Sequence, residues 1–595
     1  MAYDAIVVGA GGGGPVVAKE LASKGLNVLL LEAGPFYNNP EAQWTHLEND
    51  ANNPLTGYFR FGPEDRSQPA WYRETPQNSF LWQLSGVGGT TLHYYGNCPR
   101  AAPGVFSGYG GADAAKYDTA HLFPFTYADL VPYYEWVEAT LPVETAAMGV
   151  KEHTLFEGCI RFGLTQNTTK DIGTIPQFRP QENAILQPSG NAALVTETQG
   201  HVNQLAYPKA SGCTMCGYCF QGCKESIGAP FNLKAKRSTL ASYIPMALTA
   251  DTWTGGVGKA VTLVPNAFAT KIITANGGTQ AQGVTWRDTN TGQTSSETAK
   301  VVVLAGGCTE TPRLWLNSGL PNPNGWVGQG YTDHFFDFVV GVFPFKTNSS
   351  RGVGSSARVD YPGVGGLEQV GIPPALQAFT MLFSESGIAG QYTNGGGMTG
   401  PWNGPTGRIT GPLFKRLMSN IDNLMNLLVL TDDDVQSVNN VTLSTLNADD
   451  HGPVAKVSFP PGQRTARTIA NREYLAKQAT QIMFASGATE VYRLDWAPLI
   501  LHVQSTMRMG LSAADSVLDA WGQSRWVKGL YVADNSMLAN SLGGSNPTVT
   551  TQALATRTAE RIYTTVFGGE AYVQSTAPVV STDDRITNTI ASRLG

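Results

Sequence analysis

The sequence predicts an α/β fold organised around a Rossmann-like sheet, and three features of the chain predict it. The first is a compact strand, glycine turn, helix and strand at the N-terminus, Tyr3 to Leu31. The second is the later return of β-branched runs, Val261 to Trp286 and Ala299 to Leu304, the last of which leads into Gly306-Gly307. The third is a Gly-rich, aromatic region from about 335 to 495 that reads as a separate half of the molecule. With 595 residues, 42% of them apolar and 14% charged, the chain has ample material for a large buried core.

In the N-terminal unit, Tyr3–Val8 is a short buried strand, and Pro15 to Lys24 is a helix with Val17, Ala18 and Leu21 on one face. Gly25 ends that helix, and Leu26–Leu31 forms the next strand, closing on Glu32, 18 residues beyond Gly14. Between strand and helix stands Gly9-Ala10-Gly11-Gly12-Gly13-Gly14. Gly9 permits the tight turn, Gly11 lets backbone N–H groups approach a pyrophosphate at the positive helix end, and Gly14 lets helix and strand pack closely. Glu32 then accepts the hydroxyls of a ribose. A glycine run alone is also what a flexible loop looks like; strand, helix and acidic residue together make this a dinucleotide fingerprint. No second unit of equal quality follows, which suits one tightly held flavin better than a diffusing nicotinamide.

Composition excludes other classes. Forty basic against 46 acidic residues give a net charge of -6 with no long run of either sign, so nucleic acid is not an expected partner. No stretch approaches the ~18 apolar residues of a bilayer-spanning helix, so no membrane insertion is expected. The N-terminus lacks a basic segment, and cleavage there would destroy the glycine motif. Seven cysteines are few and odd in number, which favours a reducing, cytoplasmic location, with export alongside a partner subunit left open.

Further segments carry a specific likeness. Ser85-Gly86-Val87-Gly88-Gly89-Thr90-Thr91-Leu92-His93 has the small residues a backbone needs to pass close to a flat ring. Val301–Pro312 with Asn317-Ser318-Gly319, Val327-Gly328 to Asp333-His334, Leu501-His502 with Ser505–Gly510, and Gly529–Ser536 leading to Ser545–Thr550 complete the set. Together these segments resemble the glucose-methanol-choline family of FAD oxidoreductases, over residues 3 to about 563. Cys308, Trp315 and Pro321 depart from the commonest pattern. The Val87 to Arg100 stretch and the histidine–asparagine pair most resemble the pyranose oxidase and sugar dehydrogenase branch.

That resemblance implies a Rossmann-like FAD-binding domain, residues 1–110, 230–334 and 496–567, interleaved with an antiparallel-sheet-plus-helices substrate domain, 111–229 and 335–495, and a polar C-terminal tail, 568–595. It implies oxidation of an alcohol, a sugar or other polyol, by hydride transfer to flavin N5. His502 is then the general base and Asn546 the group that holds the hydroxyl oxygen as charge develops. The ordinary roles of both residues differ. A histidine after an apolar pair is usually structural, and Asn546, just before Pro547 and a helical stretch from Thr548 to Ile562, suits an N-cap. Flavin contacts are implied at Gly88, Gly89, Thr90, Ala269, Asp534 and Thr548; His93 stands where relatives either tether the flavin covalently or simply line its pocket.

Cys213, Cys216, Cys219 and Cys223 have the spacing C-x2-C-x2-C-x3-C, the ligand type and spacing of an iron–sulfur cluster, though without the usual following proline. Zinc, disulfides and free thiols are the other readings. A cluster would carry electrons to a cytochrome, a quinone or a small electron-transfer subunit and make the protein a dehydrogenase. The expected protein is a dehydrogenase with such an electron acceptor; without a cluster, dioxygen could reoxidise the flavin directly, and an oxidase of the same family is the alternative. A non-redox lyase and a flavin-bearing electron-transfer subunit are the remaining alternatives. Finally, Leu413, Leu417, Ile421, Leu424 and Leu428 recur at helical spacing and predict a core-facing helix.

Overall fold

The computed structural model of the chain describes residues 3–43, 52–53, 57–63, 67–76, 79–187, 212–383, 409–459, 463–494 and 499–594. Its architecture is an α/β arrangement of two seven-stranded sheets and surrounding helices. In the first sheet Tyr3–Val8 lies between Val28–Leu31 and Thr294–Leu304, parallel to both, with Val7 opposite Leu30 and Val303. Thr262–Val264 extends one side, and Leu530–Val532 pairs in parallel with Val302–Leu304. Ala5–Val8, Val28–Leu31 and Val301–Leu304 are near-continuous apolar runs because both faces of a parallel sheet are covered. The Ala267–Ala275 and Gln280–Asp288 hairpin continues antiparallel from the early part of Thr294–Leu304.

The helix Gly14–Ser23 buries Val16, Val17, Ala18, Leu21 and Ala22, and packs on the long helix Thr548–Val566. Its start is set by backbone contact. A Cβ on Gly13 would lie 1.8 Å from the Ala533 carbonyl oxygen, and one on Gly14 would lie 1.9 Å from that of Gly9. Gly9 itself has φ +105°, the left-handed region that favours glycine. Three strand ends and one helix start therefore meet at the C-terminal edge of the sheet, where ligands bind in such folds.

The second sheet runs Glu490–Leu494, Asp337–Val342, Leu424–Thr431, Gly365–Val370, Ala357–Tyr361, Gln177–Pro180 and Thr165–Gln166, antiparallel except for its last pair. Strand alternation splits its side chains. Leu427 and Val429 face Leu475, Ala479 and Met483 of the helix Ala466–Ala485, which Thr465 caps by accepting from Thr468 N–H. Leu428 and Leu430 point the other way, with Phe338 and Val340.

Two expectations are corrected. The leucine series from Leu413 to Leu428 is not one helix: the helix Gly411–Ser419 ends there, and Leu424 and Leu428 lie in the strand Leu424–Thr431. All eight strand residues are buried between two neighbouring strands, and that pairing overrides a 3.6-residue period that short apolar runs satisfy by chance. The region after Phe567 is not a free tail either. It ends in the helix Asp584–Leu594, which buries Ile586 and Ile590, while Ser581 accepts from Arg237 through its side-chain oxygen at 2.9 Å.

The glycine turn yields a direct test. Gly14→Ala forces a Cβ against the Gly9 carbonyl and is expected to destabilise the protein by about 3 kcal/mol and to reduce flavin content on purification. A thermal denaturation midpoint and a flavin-to-protein ratio equal to the native values would show that the turn has room.

Candidate active site

One elongated cavity joins the two sheets. Gly9, Gly11, Gly12, Glu32, Ala269 and Asp534 line one stretch of it. Gly89, Thr90, His93 and Thr548 also line it, as do His502 and Asn546. Of the glycines named from sequence, Gly14 and Gly88 do not line it; they shape its walls, Gly14 by contact with Gly9 and Gly88 at φ +100° against Leu240.

Glu32 ends the strand Val28–Leu31 and is buried. One carboxylate oxygen accepts from Ala10 N–H at 2.8 Å and the other from Gly34 N–H at 2.9 Å. Burial nevertheless pushes its carboxyl up to about 7, against the pull of those backbone donors. Asp534 accepts from Gly307 N–H, Thr311 Oγ1 and Ser536 N–H, which ties the segment after Leu530–Val532 to the turn after Leu304.

At the opposite end His502 and Asn546, 44 positions apart, come together with Nε2 and Nδ2 at 3.4 Å. Asn546 does not cap the helix: Pro547 occupies the cap position without a side-chain bond, and the asparagine amide turns instead to His502 and to Glu368 Oε2 at 3.3 Å. The His502 backbone is held by Asp333, whose carboxylate accepts from His502 N–H and Leu501 N–H at 2.9 Å and from its own neighbour His334 N–H at 2.8 Å. Burial raises the Asp333 carboxyl to about 8, opposed by those three amides. The His502 imidazole is held well below the usual histidine range, first by burial, then by the His334 ring 5.1 Å away and the Arg358 charge. Burial thus keeps the ring neutral, so one of its two nitrogens carries a lone pair able to take a proton.

The cysteine loop brings its four thiols close enough to act on one another by charge. The thiols of Cys213, Cys216, Cys219 and Cys223 are free, and among the described residues no three His, Cys, Asp or Glu side chains stand where they could hold a metal ion. Three sulfurs meet separate backbone groups: Cys213 accepts from Met215 N–H and Cys219 from Gly354 N–H, both at 3.4 Å, while Cys223 faces the Glu225 carbonyl. Burial pushes the Cys223 thiol up to about 11. The loop does reach the cavity. Phe220 lines it, the Phe220 carbonyl meets His93 Nδ1 at 2.9 Å, and Lys236 Nζ donates to the carbonyls of Leu92, Tyr94 and Cys219.

Sequence reading missed Glu368 and Asn97. Both line the cavity, and the Asn97 amide donates to Glu368 Oε1. Glu368 lies on the strand Gly365–Val370, and its only sequence signal is a charged residue among small and apolar neighbours.

The cavity suits FAD: a glycine-lined path meets a buried carboxylate at one end and a histidine–asparagine pair at the other, and added Cβ atoms would fill its turn. Two family models described as GMC oxidoreductase match residues 197–336 and 435–555. The chain is 27% identical to a 2-methyl-1,2-propanediol dehydrogenase of Mycolicibacterium austroafricanum, covering 94% of this chain and 95% of that protein. It is 24% identical to a paromamine 6'-oxidase of Streptomyces fradiae, covering 94% and 91%. A formate oxidase structure from Aspergillus oryzae superposes with TM-score 0.60 at 15% identity, covering 94% of this chain and 98% of that one, and shows the same fold. Over most of its length the chain is thus similar to GMC oxidoreductases, FAD-dependent enzymes acting on CH–OH groups. These relatives do not single out the pyranose oxidase branch. Among the described residues no helix is long and apolar enough to cross a membrane.

Glu32 gives the site a pH signature. Ribose hydroxyls donating to the ionised carboxylate would favour its deprotonation, so FAD affinity should rise with pH until the empty site is itself ionised, near 7. FAD titration of the apoprotein, followed by flavin fluorescence, is expected to show affinity about tenfold higher at pH 8 than at pH 6. Glu32→Gln should bind more weakly and without that slope.

Proposed function

We propose that the chain oxidises an alcohol to a carbonyl compound, with His502 Nε2 taking the hydroxyl proton, Asn546 Nδ2 donating to the same oxygen, and dioxygen as final electron acceptor, released as hydrogen peroxide. Bound FAD supplies the hydride acceptor. The observation that carries this reading is the pairing of the His502 ring nitrogen Nε2 with the Asn546 amide nitrogen at 3.4 Å on the cavity wall. Their mutual contact is long and weak, so a hydroxyl oxygen entering between them gains two stronger bonds: its O–H donates to Nε2, and Nδ2–H donates to it. As the proton leaves, negative charge on that oxygen strengthens the amide contact.

Tyr95, Phe220, Leu428 and Val503 line the cavity beside this pair. That apolar wall favours a polyol or sugar-like alcohol that carries a hydrocarbon flank next to the reacting carbon. Dioxygen, rather than the protein acceptor expected from the cysteine loop, is supported by the oxidase names of the paromamine relative and of the structural neighbour. The second reading, a dehydrogenase passing electrons to a protein or quinone, is favoured by the position of the cysteine loop against His93 and by the dehydrogenase named among the relatives.

His502→Gln should retain flavin yet slow its anaerobic reduction by alcohol about a hundredfold or more in stopped-flow measurements; native kinetics would remove His502 from the reaction. Because the imidazole is held well below 6.5, the native reduction rate should stay level as pH falls from 8 to 6.5; a decline over that range would mean the base titrates there. Mixing the reduced enzyme with air-saturated buffer should reoxidise the flavin as fast as turnover requires and release peroxide. Slow reoxidation relieved only by an artificial acceptor would select the dehydrogenase reading.

A further inference from the structure

We infer that Glu368 is a positioning residue that sets the tautomer of His502 through Asn546. The inference deepens the reading above and rests on it for the role of His502, but its geometry stands alone. Glu368 lies on the strand Gly365–Val370, directly opposite Arg358 on the next strand, and is almost wholly buried. Its hydrogen bonds are all accepted ones. Oε1 receives Asn97 Nδ2 and, at 2.8 Å, Ser355 Oγ; Oε2 receives Asn546 Nδ2 at 3.3 Å. Burial raises the Glu368 carboxyl, while the Arg358 charge and the convergent donors pull the other way and favour the anion; an anion has no proton to give.

From that point the orientations follow in sequence. A carboxylate accepts only, so Asn546 must turn its NH2 toward Oε2 rather than its carbonyl. The second hydrogen of the same NH2 then points at His502 Nε2, 3.4 Å away. An N–H facing a ring nitrogen requires a lone pair there, so the proton of the neutral ring sits on Nδ1 and Nε2 is free to act as base. The other charged or titratable groups facing His502 do not impose this choice. The His334 ring lies edge-on at 5.1 Å with its own Nδ1 against the Thr431 carbonyl; Asp333 bonds only backbone N–H groups; and Arg358 acts by charge. Among the described residues His502 Nδ1 has no hydrogen-bond partner, so no contact on that side selects the tautomer.

Glu368→Gln keeps the volume and reverses the logic. The carbonyl of the substituted side chain would remain with Asn97 and Ser355, its NH2 would face Asn546, and Asn546 would flip to present its own carbonyl to His502. The ring would then protonate Nε2 and lose its base on the cavity side. The test uses holoenzyme labelled with 15N in its histidine rings, with His502→Gln assigning the His502 signals. In the native protein the unprotonated nitrogen should be Nε2, and in Glu368→Gln it should be Nδ1. In parallel, flavin loading should be unchanged, and alcohol-driven flavin reduction should fall about tenfold or more, with the apparent Kd for alcohol changed less than about threefold. A native His502 protonated on Nε2 would overturn the inference without any variant, even if Glu368→Gln fails to fold. The same tautomer in both proteins would overturn it as well. If no alcohol reduces the native flavin, the reaction assigned above fails while the tautomer measurement still decides this point.

Discussion

Three backbone N–H groups converge on the Asp333 carboxylate, and the position of His502 depends on them. The carboxylate belongs to the segment that leads into the second sheet, and two of its donors belong to the Leu501–His502 segment, 168 and 169 positions further along the chain. One buried acid thus ties the start of one half of the molecule to the residue that the proposed chemistry needs. Burying it is costly, as its raised proton affinity shows, and the convergent amides offset that cost. Hydrogen bonds from the main chain hold only when the backbone is in place, so the site and the fold form together.

The same principle recurs along the cavity with different results. Glu32 is buried among backbone donors at the dinucleotide end, and Glu368 among side-chain donors at the other. Both carboxyls are pushed up by burial, yet both are surrounded by groups that favour the anion. His502 is treated in the opposite sense, since burial and nearby positive charge keep its ring neutral. An anion behind the asparagine and a neutral ring beside it is an arrangement that orders hydrogen-bond donors before a substrate arrives, so little reorganisation is left for the reaction itself.

The cysteine loop belongs to this frame in a way that its spacing did not suggest. Three of its thiols meet backbone groups, and its backbone is part of the cavity wall through Phe220, His93 and the Lys236 ammonium, whose donors meet three carbonyls from two segments. Whatever chemistry the sulfurs perform would therefore be felt at the ring-binding wall, because the loop and the Gly89–His93 segment share one buried cation.

Much of this protein was legible in the residues alone. The N-terminal strand, glycine turn and helix follow from local rules, since a backbone that must pass within van der Waals contact of another leaves no choice but glycine, and the sequence shows glycine there. His502 and Asn546 were nominated because short motifs surround them. Period failed where local signals are ambiguous: Leu424 and Leu428 satisfy a helical repeat yet lie in a strand. Glu368 lay beyond any such reading: it is 178 positions from the asparagine it orients, and a charged residue in a strand reads as solvent-facing until the neighbouring strands are known. Residue order was thus enough to nominate the histidine and the asparagine. The direction in which their hydrogens point came from packing alone, because it depends on donors and acceptors that lie far apart along the chain and meet only in the folded molecule.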